Sequence, residues 1–273
     1  MWQKFLHKTL KVPYILNSRE YQAPKKFPAT VILLHGIGSS MAMWEPLLPK
    51  MPKDVRIIAI DLLGFGESPK PSWNVYGARM QADSLATTLF SMKIIGPVVV
   101  VGHSLGSLVA IEFARRYPLM TKSLVLISPP LYKPDRDPKR LDFKPEEALR
   151  QMYALMATNP GATEKILRMG SKYRLFNKGF DAKNVDVPAY LATLETAIIN
   201  QQSYHDILRI RRPIHIVTGK LDIIVLDSTI NELERTMPNV QHTSVIGTHE
   251  IVGPLRTATQ KAVRSAIDEA TTH

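Results

Sequence analysis

Four consecutive valines, Val98 to Val101, run without polar alternation into Gly102-His103-Ser104-Leu105-Gly106, and a helical pattern begins directly behind them. An unalternated β-branched run fits a strand buried on both faces, the kind found inside a parallel sheet covered by helices. Gly102 and Gly106 stand two positions either side of Ser104, where side chains would collide if the backbone doubled back between strand and helix. A turn that sharp lifts the Ser104 hydroxyl clear of the backbone, with a helix N-terminus behind it. A serine at a helix start can also be a plain cap. The position between a valine strand and a helix favours the nucleophile.

The flanking sequence repeats the theme. Thr30 to Leu34 (TVILL), Val55 to Ile60 (VRIIAI) and Ser123 to Ile127 (SLVLI) read as buried strands, with helices over Tyr76 to Met92 and Ser104 to Tyr117. This rhythm predicts an α/β fold: a mostly parallel central sheet with helices on both faces. Leu10 to Leu16 reads as an edge strand, Pro24 to Pro28 as a turn or linker, and Met41 to Leu48 as a short helix ended by Pro49. After Ser128-Pro129-Pro130 the rhythm stops. Between Leu131 and Arg212 the pattern is helical, over Pro145 to Thr158, Thr163 to Met169 and Pro188 to Tyr204, which predicts a helical cap insertion. Pro213 restarts the sheet with strand Ile214 to Thr218, helix Leu226 to Met237, strand Val240 to Ile246 and helix Leu255 to Ala270. The expected division is a core in two parts, residues 1–130 and 213–273, around a cap at 131–212.

Composition excludes several classes. No apolar run reaches the about 18 residues of a membrane span, and the start, MWQKFLHKTLKV, mixes apolar with basic residues instead of forming a signal-peptide core. It reads as cytoplasmic, with no stable membrane insertion. Without cysteine there is no disulfide framework and no thiolate chemistry. The net charge of +11 is spread along the chain, with doublets such as Arg115-Arg116 but no long basic run and no nucleic-acid module. It reads as solvated surface charge with weak attraction for acidic surfaces, and no nucleic-acid partner is expected.

A serine hydroxyl needs a base, and the base an orienting carboxylate. Asp222 lies four residues past strand Ile214 to Thr218, and His249 three past strand Val240 to Ile246. Both therefore fall at the strand ends where Ser104 falls, and in the chain order Ser, Asp, His. Asp227 is better read as the first turn of a helix. Asp61, in the turn Asp61 to Ser68, reads as a carboxylate that holds a loop. His103 is expected to point into packing or the neighbouring strand, His215 to be core and His35 to shape its loop; His7, His205 and His242 show no partner pattern. No HExxH-type spacing or dinucleotide fingerprint occurs, so no metal or cofactor is expected.

The strand order, the His35-Gly36 loop, the Asp61 to Ser68 turn, the GHSLG elbow, the Gly219 to Asp222 segment and Thr248-His249 together resemble a capped serine hydrolase of the α/β-hydrolase fold superfamily. The resemblance covers residues 30 to 128 and 213 to 270. It implies Ser104 as nucleophile, His249 as general base and acid, Asp222 as its orienter, and the backbone N–H groups of Ile37 and Leu105 as the oxyanion hole. It departs after His249, where relatives often carry an apolar residue and Glu-x-Pro but this chain has Glu250-Ile251-Val252-Gly253-Pro254. A serine in the elbow speaks against the dehalogenases and epoxide hydrolases of the fold, which use aspartate. The expected substrate is a small-molecule carboxylic ester with a small to medium apolar group, hydrolysed through an acyl-enzyme by a monomer or homodimer. C–C bond hydrolysis, hydroxynitrile-lyase chemistry and acyl transfer stay open beside it, because the cap, not the fold, decides among them; a catalytically silent binding module is the alternative outside the enzymes, and the presence of all three triad residue types speaks against it.

Overall fold

Seven strands form one sheet in the order β1-β3-β2-β4-β5-β6-β7. They are β1 (Ser18–Gln22), β2 (Thr30–Leu34), β3 (Arg56–Ile60), β4 (Val98–His103), β5 (Thr121–Ile127), β6 (Ile214–Gly219) and β7 (Val240–Val245). β1 runs antiparallel to β3, and every other neighbouring pair is parallel. The structure, a computed structural model, describes residues 2–73, 76–133, 145–159, 161–165 and 185–271.

The central strands carry apolar residues on both sides because both sheet faces are covered. Ile32, Leu34, Val98, Val100, Leu124 and Leu126 face one core. Their alternates Val31, Leu33, Val99, Val101, Val125 and Ile127 face the other. Helices α1 (Ala78–Ser91) and α2 (Leu105–Arg116) close the first core through residues such as Leu85, Leu89, Leu108 and Ile111. Helix α3 (Pro145–Thr158) packs against its rim through Leu149, Tyr153 and Met156. The second core is closed by the last helix of the chain, Gly253–Thr271, through Leu255, Val263 and Ile267, and by Trp44.

The topology fixes where a site can form. From β2 the chain passes to β3 on one side and then to β4 on the other, so the connections leaving the C-terminal ends of β2 and β4 diverge. In open α/β sheets that divergence leaves a crevice at the strand ends. His35-Gly36-Ile37 leaves β2 there and Ser104 leaves β4 there.

Between β5 and β6 the described residues contain helices and no strand: α3, residues 161–165, α4 (Val187–Thr193), a π turn at Leu194–Ile199 and α5 (Ser203–Ile207). The expected Pro188 to Tyr204 helix is thus divided, with a turn at Asn200. Residues 166–169 of the expected Thr163 to Met169 helix lie outside the described residues. α6 (Asp227–Thr236) follows β6, and the closing helix Gly253–Thr271 is α7.

Two expectations are corrected. The edge strand is Ser18–Gln22, not Leu10 to Leu16. Pro13 has no N–H, and the amides of Tyr14 and Leu16 donate to Ser84 Oγ (3.1 Å) and Thr88 Oγ1 (2.8 Å) of α1 instead of to a strand. Met41 to Leu48 is not one helix but two 3-10 turns, Met41–Trp44 and Leu48–Lys50. Pro46 removes a backbone donor in the middle of the segment.

Candidate active site

Ser104 sits between β4 and α2 at φ 52° and ψ −115°, a backbone region that costs a residue with a Cβ on the order of 1–3 kcal/mol. Close packing holds it there. A Cβ on Gly102 would lie 2.3 Å from the Gly106 carbonyl oxygen, and one on Gly106 would lie 2.3 Å from that of Leu34. The two glycines let the strand, the helix and the end of β2 meet. The amide of Ser104 donates to Ile127 O (2.9 Å), which ties the turn to β5.

His249 lies in the loop after β7, and its Nδ1–H donates to Asp222 Oδ2 at 2.7 Å. The other oxygen of Asp222 accepts the amides of Ile224 (2.9 Å) and Val225 (3.3 Å). Burial alone would raise the Asp222 carboxyl, but the His249 hydrogen bond and charge and the Ile224 amide outweigh it and leave its pKa below the usual carboxylate value. A carboxylate held charged in this way fixes the proton on Nδ1 and leaves Nε2 free to accept.

Ser104, His249, Gly36 and Ile37 line one cavity of about 210 Å³. Leu149, Met152, Tyr190, Leu194 and Ile198, from α3, α4 and the π turn, form an apolar wall of it. No Lys or Arg lines it among the described residues. No hydrogen bond joins Ser104 Oγ to His249 among the described residues; without substrate such contacts are commonly long. Leu105 is the first residue of α2, fully buried, and its amide, like that of Ile37, has no hydrogen-bond partner among the described residues.

The other candidates fall elsewhere. Asp61 accepts the amides of Met41 (2.7 Å) and Glu67 (3.0 Å) and Nδ2 of Asn17 (2.9 Å), which makes it a hub joining three loops. Asp227 opens α6. His35 accepts the Leu62 amide at Nε2 (2.9 Å), so its Nδ1–H donates to Gly36 O (2.7 Å) and shapes the loop ahead of Ile37. His215 is buried and reaches Glu269 on α7 (3.0 Å). Among the described residues no group of three His, Asp or Glu is arranged to hold a metal ion.

The model of the alpha/beta hydrolase fold family matches residues 29–252. The chain belongs to that family. Among curated relatives it is similar to Probable lysophospholipase BODYGUARD 2 of Arabidopsis thaliana, 34% identical over 132 residues, which are 46% of this chain and 28% of that protein. The match therefore spans less than a third of that relative. Lipase 1 of Psychrobacter immobilis is 26% identical over 222 residues, covering 77% of this chain and 68% of its own. A bromoperoxidase of Bacillus anthracis superposes with a TM-score of 0.75 at 19% identity, over 92% of this chain and 94% of that one. An esterase of Thermogutta terrifontis does so with a TM-score of 0.69 at 22% identity, over 94% of each chain. At those identities the structural likeness is one of fold.

Within this α/β hydrolase His103 is buried, as the packing expectation has it, but the sequence reading missed its second contact: it also lines the pocket, its ring centre is 5.1 Å from that of His249, and its Nε2–H donates to the His249 carbonyl at 2.9 Å. Adjacency to Ser104 was the available signal. Burial first, then the nearness of His249, push its pKa down to about 3.

This makes an acid-stability prediction. His103 stays neutral in the fold while in the unfolded chain it takes up a proton near its usual 6.5. Below that pH the unfolded state binds more protons, so stability falls by about 1.4 kcal/mol per pH unit through this residue. The loss runs from about 6.5 down to about 3. Burial lowers the pKa of His35 as well, so its contribution has the same sign. Urea denaturation of His103→Gln across that range should show a shallower fall than the parent; equal slopes would remove His103 from the account.

Proposed function

We propose that the chain hydrolyses neutral carboxylic esters carrying a small to medium apolar group, by nucleophilic catalysis at Ser104. In this reading His249 Nε2 takes the Ser104 proton as Oγ attacks the acyl carbon, then returns it to the departing alkoxide. Water adds to the acyl-enzyme by the same route, and the acid leaves with Ser104 restored. Asp222 orients His249, and the amides of Ile37 and Leu105 receive the oxyanion. The carrying observation is the juxtaposition, in one cavity, of a serine held at φ 52° and a histidine whose other nitrogen is bonded to a charged carboxylate. The sequence requires no metal or cofactor for this route. We assign residues 1–130 and 213–273 to the hydrolase core and 131–212 to the cap. A cytoplasmic monomer or homodimer is the proposed setting.

The wall supports the substrate class. An acyl chain meets Leu149, Met152, Leu194 and Ile198, whereas a carboxylate would meet no cation among the described lining residues and would face Glu250. The cavity is also smaller than the about 300–1,000 Å³ of sites for drug-sized ligands. A series of p-nitrophenyl esters tests this. With about 0.8 kcal/mol per buried methylene, kcat/KM should rise about fourfold per added carbon from acetate upward. It should peak between butyrate and octanoate and fall for laurate and palmitate. A maximum at palmitate overturns the size assignment; no turnover of any ester, with no fluorophosphonate adduct on Ser104, overturns the chemistry.

A further inference from the structure

The segment ahead of the sheet leaves apolar side chains uncovered that the proposed chemistry does not use. Trp2, Phe5, Leu10, Val12 and Ile15 are all exposed, Trp2 to 74%. The Trp2 and Phe5 rings meet edge to face at 5.9 Å. Residues Trp2–Lys4 and Phe5–Thr9 are helical, and Lys4, Lys8 and Lys11 are exposed. Along these helical residues Trp2, Phe5 and Leu6 fall on one side and Lys4, His7 and Lys8 on the other, with Leu10 and Lys11 following where the helix ends. No Asp or Glu precedes Glu20.

This turn is mounted, not trailing. His7 stacks on Tyr14 with ring centres 3.8 Å apart, and its Nδ1–H donates to Val12 O (2.7 Å). Tyr14 and Leu16 are buried and bonded to α1. His7, Val12 and Ile15 border a groove whose far side is the Pro69 to Trp73 loop. That loop follows the C-terminal end of β3, the sheet edge that also carries Ser104.

The geometry points to an anionic phospholipid surface as the occupant of this face. An aromatic and aliphatic face with lysines behind it, in a segment without Asp or Glu ahead of Glu20, is complementary to acyl chains below and acidic headgroups around. Lysine stems reach along the apolar face while their ammonium groups stay at headgroup level. A second copy of the chain would place the same lysines against one another. The docking is peripheral: no helix among the described residues is long and apolar enough to cross a membrane.

The test is flotation of the full chain, carrying Ser104→Ala so that no lipid can be consumed, with two sets of vesicles. One set is phosphatidylcholine alone; the other is phosphatidylcholine with phosphatidylglycerol. The chain should float with the second set and not the first, and salt should weaken it. Trp2→Ser with Phe5→Ser should remove the binding, and Lys4→Gln, Lys8→Gln and Lys11→Gln together should weaken it by about a hundredfold. Circular dichroism melting checks that each variant folds. No binding to phosphatidylglycerol vesicles, or binding unchanged in folded variants, overturns the inference. So does a dimer in solution that the Trp2 and Phe5 replacements abolish, which would give the face to a second copy. The readout is binding, so it stands or falls apart from the ester-hydrolase reading.

Discussion

Ser104→Ala is expected to lower kcat for p-nitrophenyl butyrate by about 10⁴- to 10⁶-fold, the range set by losing a nucleophile whose partners act as one unit with it. The fold should survive unchanged for a specific reason. The cost of φ 52° is imposed by a Cβ, and alanine carries the same Cβ as serine. The Ser104 side chain also makes no hydrogen bond among the described residues, so its hydroxyl leaves no buried group unpaired. KM and binding of a non-hydrolysable ester analogue should therefore stay close to the parent values, and the melting temperature should not fall. Intact-mass analysis after fluorophosphonate treatment should show an adduct on the parent and none on the variant. Turnover within tenfold of the parent, with the elbow intact, would mean that another group attacks the substrate.

That prediction was reachable from the sequence because its causes are local. Burial on both faces writes itself as unbroken valine, and a turn whose Cβ positions would meet carbonyl oxygens admits only glycine at Gly102 and Gly106. The strand end ahead of Asp222 was legible in the same way, since the run IHIVT stops where the sheet stops, whereas β7 before His249 shows only an alternation of more and less exposed residues. What escaped was set by distant partners. SREYQ of β1 has little apolar character and is a strand because Ser18, Arg19 and Glu20 pair with Ile60, Ala59 and Ile58. His103 acquires its role from a carbonyl 146 residues away, so no local pattern could assign it. The apolar positions of the Pro188 to Tyr204 segment suit a continuous helix, yet the chain turns at Asn200 and restarts at Ser203.

Asp222→Asn is expected to cost about 10⁴-fold in kcat while leaving the fold and KM almost unchanged. The magnitude follows from how the two carboxylate oxygens are used. Oδ1 accepts two backbone amides, those of Ile224 and Val225, and an amide NH₂ cannot take that place without setting donor against donor. The asparagine oxygen must therefore remain toward the backbone, which turns its NH₂ toward His249 Nδ1, where Oδ2 now accepts at 2.7 Å. A donor in that position requires an unprotonated Nδ1, so the neutral ring carries its proton on Nε2. Nε2 is the nitrogen proposed to accept from Ser104, and in this tautomer it has no lone pair to offer. Loss of the negative charge adds to the effect, because the imidazolium formed during attack is no longer stabilised. The His103 tether to the His249 carbonyl is untouched by the change, so the loop itself should hold its place. The distinguishing measurement is ¹⁵N NMR of labelled histidine at a pH where the ring is neutral. The parent should show Nδ1 protonated and Asp222→Asn should show Nε2 protonated. A variant with unchanged tautomer and near-parental kcat would show that Asp222 does not orient the base.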